Sequence, residues 1–374
     1  MGERVIMKTI LYGAFGRHNF GDILFPHIVH KLIKENINEL DIEFCDVVSR
    51  DMTEFGGHIV KSIANFIDYE DYVNVIHVGG EIGGCYLSGA VKMCEPLTNE
   101  QKTEVDKLEK SKISLGYVLP KSLFKKPKTF TTNSVGGLSR TSAKYYKDFD
   151  YVSFRDENSY KKLSSKKIKC NLLPDSAILT KYFFNDVISN RSSFDSIKTI
   201  HSKIGTEYIA IQLNCGYLDN LISVEKVLND IIAKTKLPIV FFCAGVAPGH
   251  DSLDLYKEKF ANLPTDKVHF FDGLNIWDIC NVISNAKLVI GTSLHVRILS
   301  QQFLRPRVTL SVASKQLAFI KKWDNINNLN INLKTIVSNV NEIIQNHDSK
   351  ADEKQLKFLQ TEYLEKLSWI NLLK

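Results

Sequence analysis

Cysteine is sparse and unpaired in this sequence. Its seven cysteines (Cys45, Cys85, Cys94, Cys170, Cys215, Cys243, Cys280) stand singly, and no two form a C-x-x-C pair. An odd, scattered set supports neither a disulfide framework nor a structural zinc site. Four of them fall in apolar, strand-like runs, where a reduced thiol acts as a small hydrophobe. A reducing, cytoplasmic compartment is therefore expected. Long hydrophobic runs are also missing. The longest uncharged stretch, LPIVFFCAGVAPG at 237–249, is too short and too broken by Gly and Pro to span a bilayer. The first apolar run begins after Met7 and contains Gly13 and Gly16, so no secretory leader is expected, and Met1–Ile6 read as an upstream start or a cloning remnant. There is no G-x-G-x-x-G, which gives a nicotinamide or flavin role little support. No internal repeat, low-complexity segment or basic tract is present. A net charge of +6 over 374 residues suits an acidic metabolite or an anionic membrane surface better than a DNA groove, and no nucleic-acid partner is expected.

What is there is a well-filled globular α/β sequence. Hydrophobic residues make up 44% and charged residues 24%, and the length favours two domains. Short apolar runs alternate with helical patterns. KTILYGAFG (8–16) reads as a buried strand, followed by a helix over 22–34, then strands at 41–49, 72–80, 112–119, 129–134 and 150–156. The pattern restarts with strands at 207–214, 238–245, 267–273 and 287–293, and with helices at 223–236, 252–262, 275–286 and 294–304. Continuous β-branched runs mark strands covered on both faces, as in parallel sheets wound with right-handed βαβ units. The expected domains are 1–185 and 186–345, each Rossmann-like, with a boundary in the polar stretch 185–199. A C-terminal helix at 346–374 follows. Its Leu356, Leu359, Tyr363, Leu367 and Trp369 pack back on the body or, alternatively, lie in a membrane interface.

Four segments carry candidate chemistry. GAFGRHNFGD offers Gly13, Gly16, Arg17, His18, Asn19, Gly21 and Asp22 at a strand-to-helix turn, where free N–H groups and small residues admit a ligand; Asp22 reads equally as a simple N-cap. Arg17 and His18 are expected exposed there. HVGGEIGG places Gly79, Gly80, Gly83 and Gly84 after a strand, as a tight turn or a ligand cradle. SFRDENSY ends a strand at Arg155 and Asp156, where open α/β sheets bind ligands; the arginine's fork suits a carboxylate or phosphate, or else a local ion pair. In VIGTSLHVRILSQ, Gly291, Thr292, Ser293, Leu294 and His295 surround one small volume at a helix start, a natural phosphate site. Arg297 lies two residues further on, so it can point away from His295. No metal is demanded: His18, His27 and His30 lie close in sequence and read as structural or acceptor-facing.

Together these pieces resemble the polysaccharide pyruvyl transferase family over about residues 8–310. The family's N-x-G-D matches Asn19-Phe20-Gly21-Asp22, its mid-chain GG matches Gly79-Gly80, and its R-D matches Arg155-Asp156. Its D-x-A matches Asp175-Ser176-Ala177 and its late L-H matches Leu294-His295. The resemblance implies two Rossmann-like domains facing across a cleft, like GT-B glycosyltransferases, with the acceptor on the first and the donor on the second. It implies pyruvate transfer, as a ketal, from phosphoenolpyruvate onto two hydroxyls of a cell-surface polysaccharide or its lipid-linked precursor, without a further cofactor. The donor contacts implied are Arg155 and the late R-L-H element, here Ser293, Leu294 and His295; Gly291, Thr292 and Arg297 are expected beside them, and His295 is the candidate acid or base. Gly16, Arg17, His18, Asn19, Asp22, Gly79 and Gly80 are expected on the cleft and acceptor side. Ser293 stands where some members carry an arginine, so a donor-binding cation is absent there unless Arg297 or a lysine replaces it. The protein is expected in the cytoplasm, with possible peripheral contact at the inner membrane face. A nucleotide-sugar glycosyltransferase and a non-catalytic sugar- or anion-binding protein are the alternatives.

Overall fold

A computed structural model describes residues 7–37, 39–218, 224–310, 314–324 and 333–374. Met1–Ile6 and the first residue of the helix expected from 223 lie outside them. The chain divides into two compact units, 1–176 with 360–374, and 177–359.

The first unit is built on strands β1 (Lys8–Tyr12), β2 (Asp41–Asp46), β3 (Arg50–Asp51), β4 (Ile59–Ser62), β5 (Val73–Val78) and β6 (Pro127–Asn133) in the order β3-β4-β2-β1-β5-β6. Only β3 is antiparallel, to β4. Without that short edge strand, the five parallel strands run 3-2-1-4-5 in order of appearance, the winding of a Rossmann half. β5 shows why: all six of its residues are buried, as expected of a strand with helices on both faces. A further parallel pair, β7 (Ser153–Phe154) and β8 (Asn171–Leu172), continues from β6 through the bridges Thr131–Tyr151 and Val135–Phe154.

The second unit repeats the scheme. Strands β9 (Ile209–Gln212), β10 (Ile239–Phe241), β11 (Val268–Phe270), β12 (Leu288–Gly291) and β13 (Arg307–Thr309) form an all-parallel sheet in the order β11-β10-β9-β12-β13. This again is 3-2-1-4-5. Helices Val224–Thr235, Leu253–Lys259, Ile276–Asn285 and Leu294–Gln302 stand where the apolar spacing puts them.

Three sequence expectations change. The segment 112–119 is not a strand: Leu115, Tyr117, Val118 and Leu119 are buried, but their backbone bonds leave the ladder. Gly116 N–H donates to Cys85 O and Leu119 N–H to the ring Nε2 of His77. Burial alone made it look like β structure. The polar stretch 185–199 is not the boundary between the units either. It carries helices Thr180–Asn190 and Asp195–Ile204, whose Ile188, Ile197 and Ile200 are buried, and the units divide at Ser176 instead. Finally, β13, with arginine at its first position, and the short β3, β4 and β8 give too few apolar residues to be read as strands.

The C-terminal helix Ser349–Glu365 and the turn Ser368–Leu373 bury Leu356, Leu359, Tyr363, Leu367 and Trp369. Residues from 360 onward belong to the first unit. There Tyr363 O–H (2.6 Å) and Trp369 Nε1–H (3.2 Å) both donate to Asn133 Oδ1, and Tyr151 O–H donates to Lys366 O. The apolar stripe packs inward, which removes it as a membrane-facing surface. No helix among the described residues is long and apolar enough to cross a membrane.

Candidate active site

In an open parallel sheet, ligands bind outside the carboxyl ends of the strands where the strand order reverses. The reversal lies between β1 and β5 in the first unit and between β9 and β12 in the second. Those strands lead into GAFGRHNFGD, HVGGEIGG, QLN and GTSLH, so three of the four candidate motifs sit at the two switch points.

At the first switch point, Asn19 stands as N-cap of the helix Phe20–Asn36 in extended conformation without a side-chain cap bond. Asp22, in the first turn, reaches back instead to the Arg17 guanidinium at 3.1 Å. Arg17 is thus not an exposed cation. Burial works against its charge, but Asp22, Tyr117 and Asp46 outweigh it and hold its pKa above the ordinary value. His18 is buried edge-on to Phe55, not exposed as expected. Gly16 N–H donates to Asp46 Oδ2 at 2.7 Å, and burial raises that carboxyl to about 6 against its hydrogen bonds. Gly79 and Gly80 hold φ of +91° and +31°. A Cβ on Gly80 would stand 3.0 Å from Asp22 Oδ1, so glycine is what lets the β5 loop touch the helix start.

Arg155 follows β7 and is 5% exposed. It donates to Asp175 Oδ2 at 2.5 Å and lies 3.7 Å from Glu81 Oε2. Asp175 is 0% exposed, whereas the Glu81 side chain is 34% exposed. Burial opposes the guanidinium's charge, while Asp175, Glu81 and Asp22 raise its pKa. A Cβ on Gly136 would meet Arg155 Nε at 2.9 Å and Glu81 Oε2 at 2.6 Å, so the pair occupies space that only glycine leaves open. The firm partner is Asp175 and the loose one Glu81, which a ligand carboxylate can replace.

At the second switch point, Gly291 ends β12 and Ser293 caps Leu294–Gln302 without a side-chain bond. His295 is half-buried in the helix's first turn. The N–H groups expected to cradle a phosphate are already engaged. Gln212 Oε1 accepts from Thr292 N–H and Ser293 N–H, both at 3.0 Å. Its Nε2 donates to Asp251 Oδ1 at 2.8 Å, and Asp251 Oδ2 accepts from Ala244 N–H at 2.7 Å. Burial raises Asp251 to about 7, against these hydrogen bonds. Thr292 Oγ1 accepts from Asn214 N–H. The reason for the correction is a single polar side chain at the end of β9 that fills the position an anion would take.

Arg297 is also corrected. It is 3% exposed, donates to Asp324 Oδ2 at 2.5 Å and to Thr309 Oγ1 at 3.1 Å. Asp324 and Asp352 in turn hold Arg307. Burial and the neighbouring Arg307 lower the Arg297 pKa. It points into a buried ion-pair network and does not replace the arginine missing at Ser293.

His27 and His30 do share a helix face, but with His58 and Phe44 they form an aromatic cluster: His58 stacks on Phe44 at 3.7 Å and meets His27 at 4.0 Å. Among the described residues no group of three His, Cys, Asp or Glu is placed to hold a metal. Glu81, Asp46, Gln212 and Asp251 escaped the sequence reading. Glu81 directly follows Gly79-Gly80, and Gln212 ends an otherwise apolar strand; both positions carried the signal.

The sequence profile of the polysaccharide pyruvyl transferase family matches residues 19–314. The chain belongs to this family. All five motif matches fall inside or, for Asn19, at the edge of that span. No curated protein matches the sequence. Among solved structures, this pyruvyl transferase family member is similar to the UDP-GlcNAc 2-epimerase of Methanocaldococcus jannaschii, with a TM-score of 0.55, 12% identity, and 95% of this chain and 99% of the other covered. It is also similar to the UDP-GlcNAc 2-epimerase from Neisseria meningitidis bound to UDP-GlcNAc, with a TM-score of 0.56 at 9% identity over 98% and 100% of the chains. At such identities the likeness concerns the fold: two Rossmann-like units of the GT-B-like class.

Proposed function

We propose that this protein transfers the pyruvyl group of phosphoenolpyruvate onto two hydroxyls of a saccharide in a cell-surface polysaccharide or its lipid-linked precursor. The observation that carries this reading is the family match across 19–314. Arg155 is the cation assigned to the donor's carboxylate, which would take the place of Glu81. The saccharide is assigned to the first switch point, where Asp22 and Glu81 can accept from hydroxyls.

In the reaction a proton reaches the methylene carbon, the adjacent carbon gains cationic character, and one sugar hydroxyl adds there. Phosphate departs and the second hydroxyl closes the ketal. The two hydroxyl protons balance the one delivered to carbon and the one leaving with phosphate. His295 is the group assigned to proton delivery.

The test is thermal stabilisation by phosphoenolpyruvate, with uridine and guanosine diphosphates in parallel, followed by phosphate release with a saccharide panel. Saturation at 100 times Kd adds about 2.7 kcal/mol. Stabilisation by phosphoenolpyruvate that is lost in Arg155→Lys supports the reading. Stabilisation by nucleotides alone replaces it with a nucleotide-sugar glycosyltransferase, and binding without turnover replaces it with a sugar- or anion-binding protein. His295→Gln should lower turnover about 10²–10⁴-fold; full turnover would remove His295 from the reaction.

A further inference from the structure

The first unit carries a cavity at the end of its strands opposite Arg155. β7 and β8 run parallel, Ser153 beside Asn171 and Phe154 beside Leu172, so the segments entering them, 146–152 and 166–170, come together at the strands' amino ends. Arg155 leaves β7 at the carboxyl end. Against these entering segments and the C-terminal turn lies a cavity of about 740 Å³, within the range of small-molecule sites.

Its lining is cationic. Lys147, Lys166, Lys167 and Lys169 all contribute, and among the described residues none of the four forms an ion pair. The acidic lining residue, Asp150, is already engaged: it accepts from Phe130 N–H at 2.8 Å and pairs with Lys121 at 2.9 Å. The excess positive charge is therefore uncompensated by the protein. The backbone beneath it is fixed. Lys166 N–H donates to Leu163 O and Lys167 N–H to Ser164 O, while Asn171 N–H donates to Val152 O. Lys167 holds a left-handed φ of +59°, a position glycine would occupy with less strain. Phe149, Tyr151 and Leu372 add an apolar wall.

We infer that this cavity binds a phosphate-bearing ligand, its phosphate among the four lysines and an apolar portion against Phe149, Tyr151 and Leu372. Ammonium groups act as point-charge phosphate partners without a fixed fork, which fits a cluster on several short segments. The same chemistry is offered by an anionic lipid headgroup and by a soluble phosphate ester. The inference does not rest on pyruvyl transfer, and none of these lysines belongs to either switch point.

The test uses the full chain as wild type, as Lys166→Gln/Lys169→Gln, and as a charge-matched control, Lys350→Gln/Lys354→Gln, on exposed positions of the second unit. One arm is flotation with phosphatidylcholine vesicles with or without one-fifth phosphatidylglycerol. The other is thermal stabilisation by inorganic pyrophosphate and glucose 1-phosphate. The expected result is binding in one arm that weakens about 25-fold in the cavity variant, at about 5-fold per lysine, and less than about 2-fold in the control. The arm that responds names the source. Equal loss in both variants, equal binding to neutral vesicles, or no binding by wild type in either arm overturns the inference. Unliganded melting temperatures verify that the variants are folded.

Discussion

Replacing Gln212 by methionine tests whether the second switch point is held closed by its own side chain. Methionine keeps the volume and removes both the acceptor and the donor. Thr292 N–H retains a longer bond to the Gln212 backbone carbonyl at 3.2 Å, but Ser293 N–H loses the acceptor it has at 3.0 Å. Leaving such a donor unsatisfied costs roughly 1–3 kcal/mol. Asp251 loses the Gln212 Nε2–H bond of 2.8 Å, which adds a further ~1.5–3 kcal/mol only where the carboxylate is ionised.

The sign with pH follows from Asp251. Its folded pKa, about 7, is raised above the usual carboxylate value of 3.8 by burial. The folded state therefore binds the proton more tightly than the unfolded chain, and in wild type this group costs stability as pH rises from about 4 to 7, then no more. Losing a donor pushes the folded pKa higher still, so the variant continues to lose stability above pH 7. At roughly 2–4 °C per kcal/mol for units of this size, melting should fall by ~2–12 °C at pH 6. The gap to wild type should widen by several degrees at pH 8.5. A melting temperature within 1 °C of wild type would show that the turn does not depend on Gln212. A gap equal at both pH values would sever Asp251 from it.

The other expectations are simpler. Arg297→Met breaks a buried pair with Asp324 at about 3–5 kcal/mol, while turnover per folded molecule, measured as phosphate release, stays within about 2-fold; a selective loss of turnover would return Arg297 to the donor site. Trp369→Ala, at a fully buried side chain bonded to Asn133, should cost about 3–5 kcal/mol in thermal or urea unfolding, and a negligible loss would mean that the C-terminal turn does not anchor on β6. Burial depresses His27 and His77 to about 4 and His58 to about 3, so the unfolded chain takes up these protons first and stability falls as pH drops below 6.5. Asp46, raised to about 6, and Asp251, raised to about 7, work in the opposite direction. Urea midpoints for His58→Phe should show an acid limb shallower by ~1.4 kcal/mol per pH unit between pH 6 and 4; an unchanged slope would show that His58 does not titrate with unfolding.

The fold was legible because hydrophobic burial leaves a local trace. Runs such as Val73–Val78 and Ile209–Gln212, bounded by glycine or polar turns, read as strands covered on both faces, and their alternation with helical spacing implies parallel winding. The same reasoning misassigned 112–119, because apolar content reports burial and not hydrogen bonding: Leu119 N–H meets a histidine ring where a strand would have met a neighbour's carbonyl. Switch-point motifs were legible for a related reason, since glycines and a helix start after a strand fix where the carboxyl ends lie.

What those motifs do was less legible, because polar pairing is settled by residues far away in sequence. Arg155 and Arg297 are both arginines next to a sheet's carboxyl end, and nothing local separates them. Arg155 meets a fully buried Asp175 and a partly exposed Glu81, so one of its partners can be exchanged for a ligand. Arg297 meets Asp324, itself 2% exposed and shared with Arg307, so its exchange would strand a buried charge. The distinction rests on the solvent access of the partner carboxylate. Ser293 follows the same logic: with Arg297 committed inward to Asp324, it brings no positive charge to that turn.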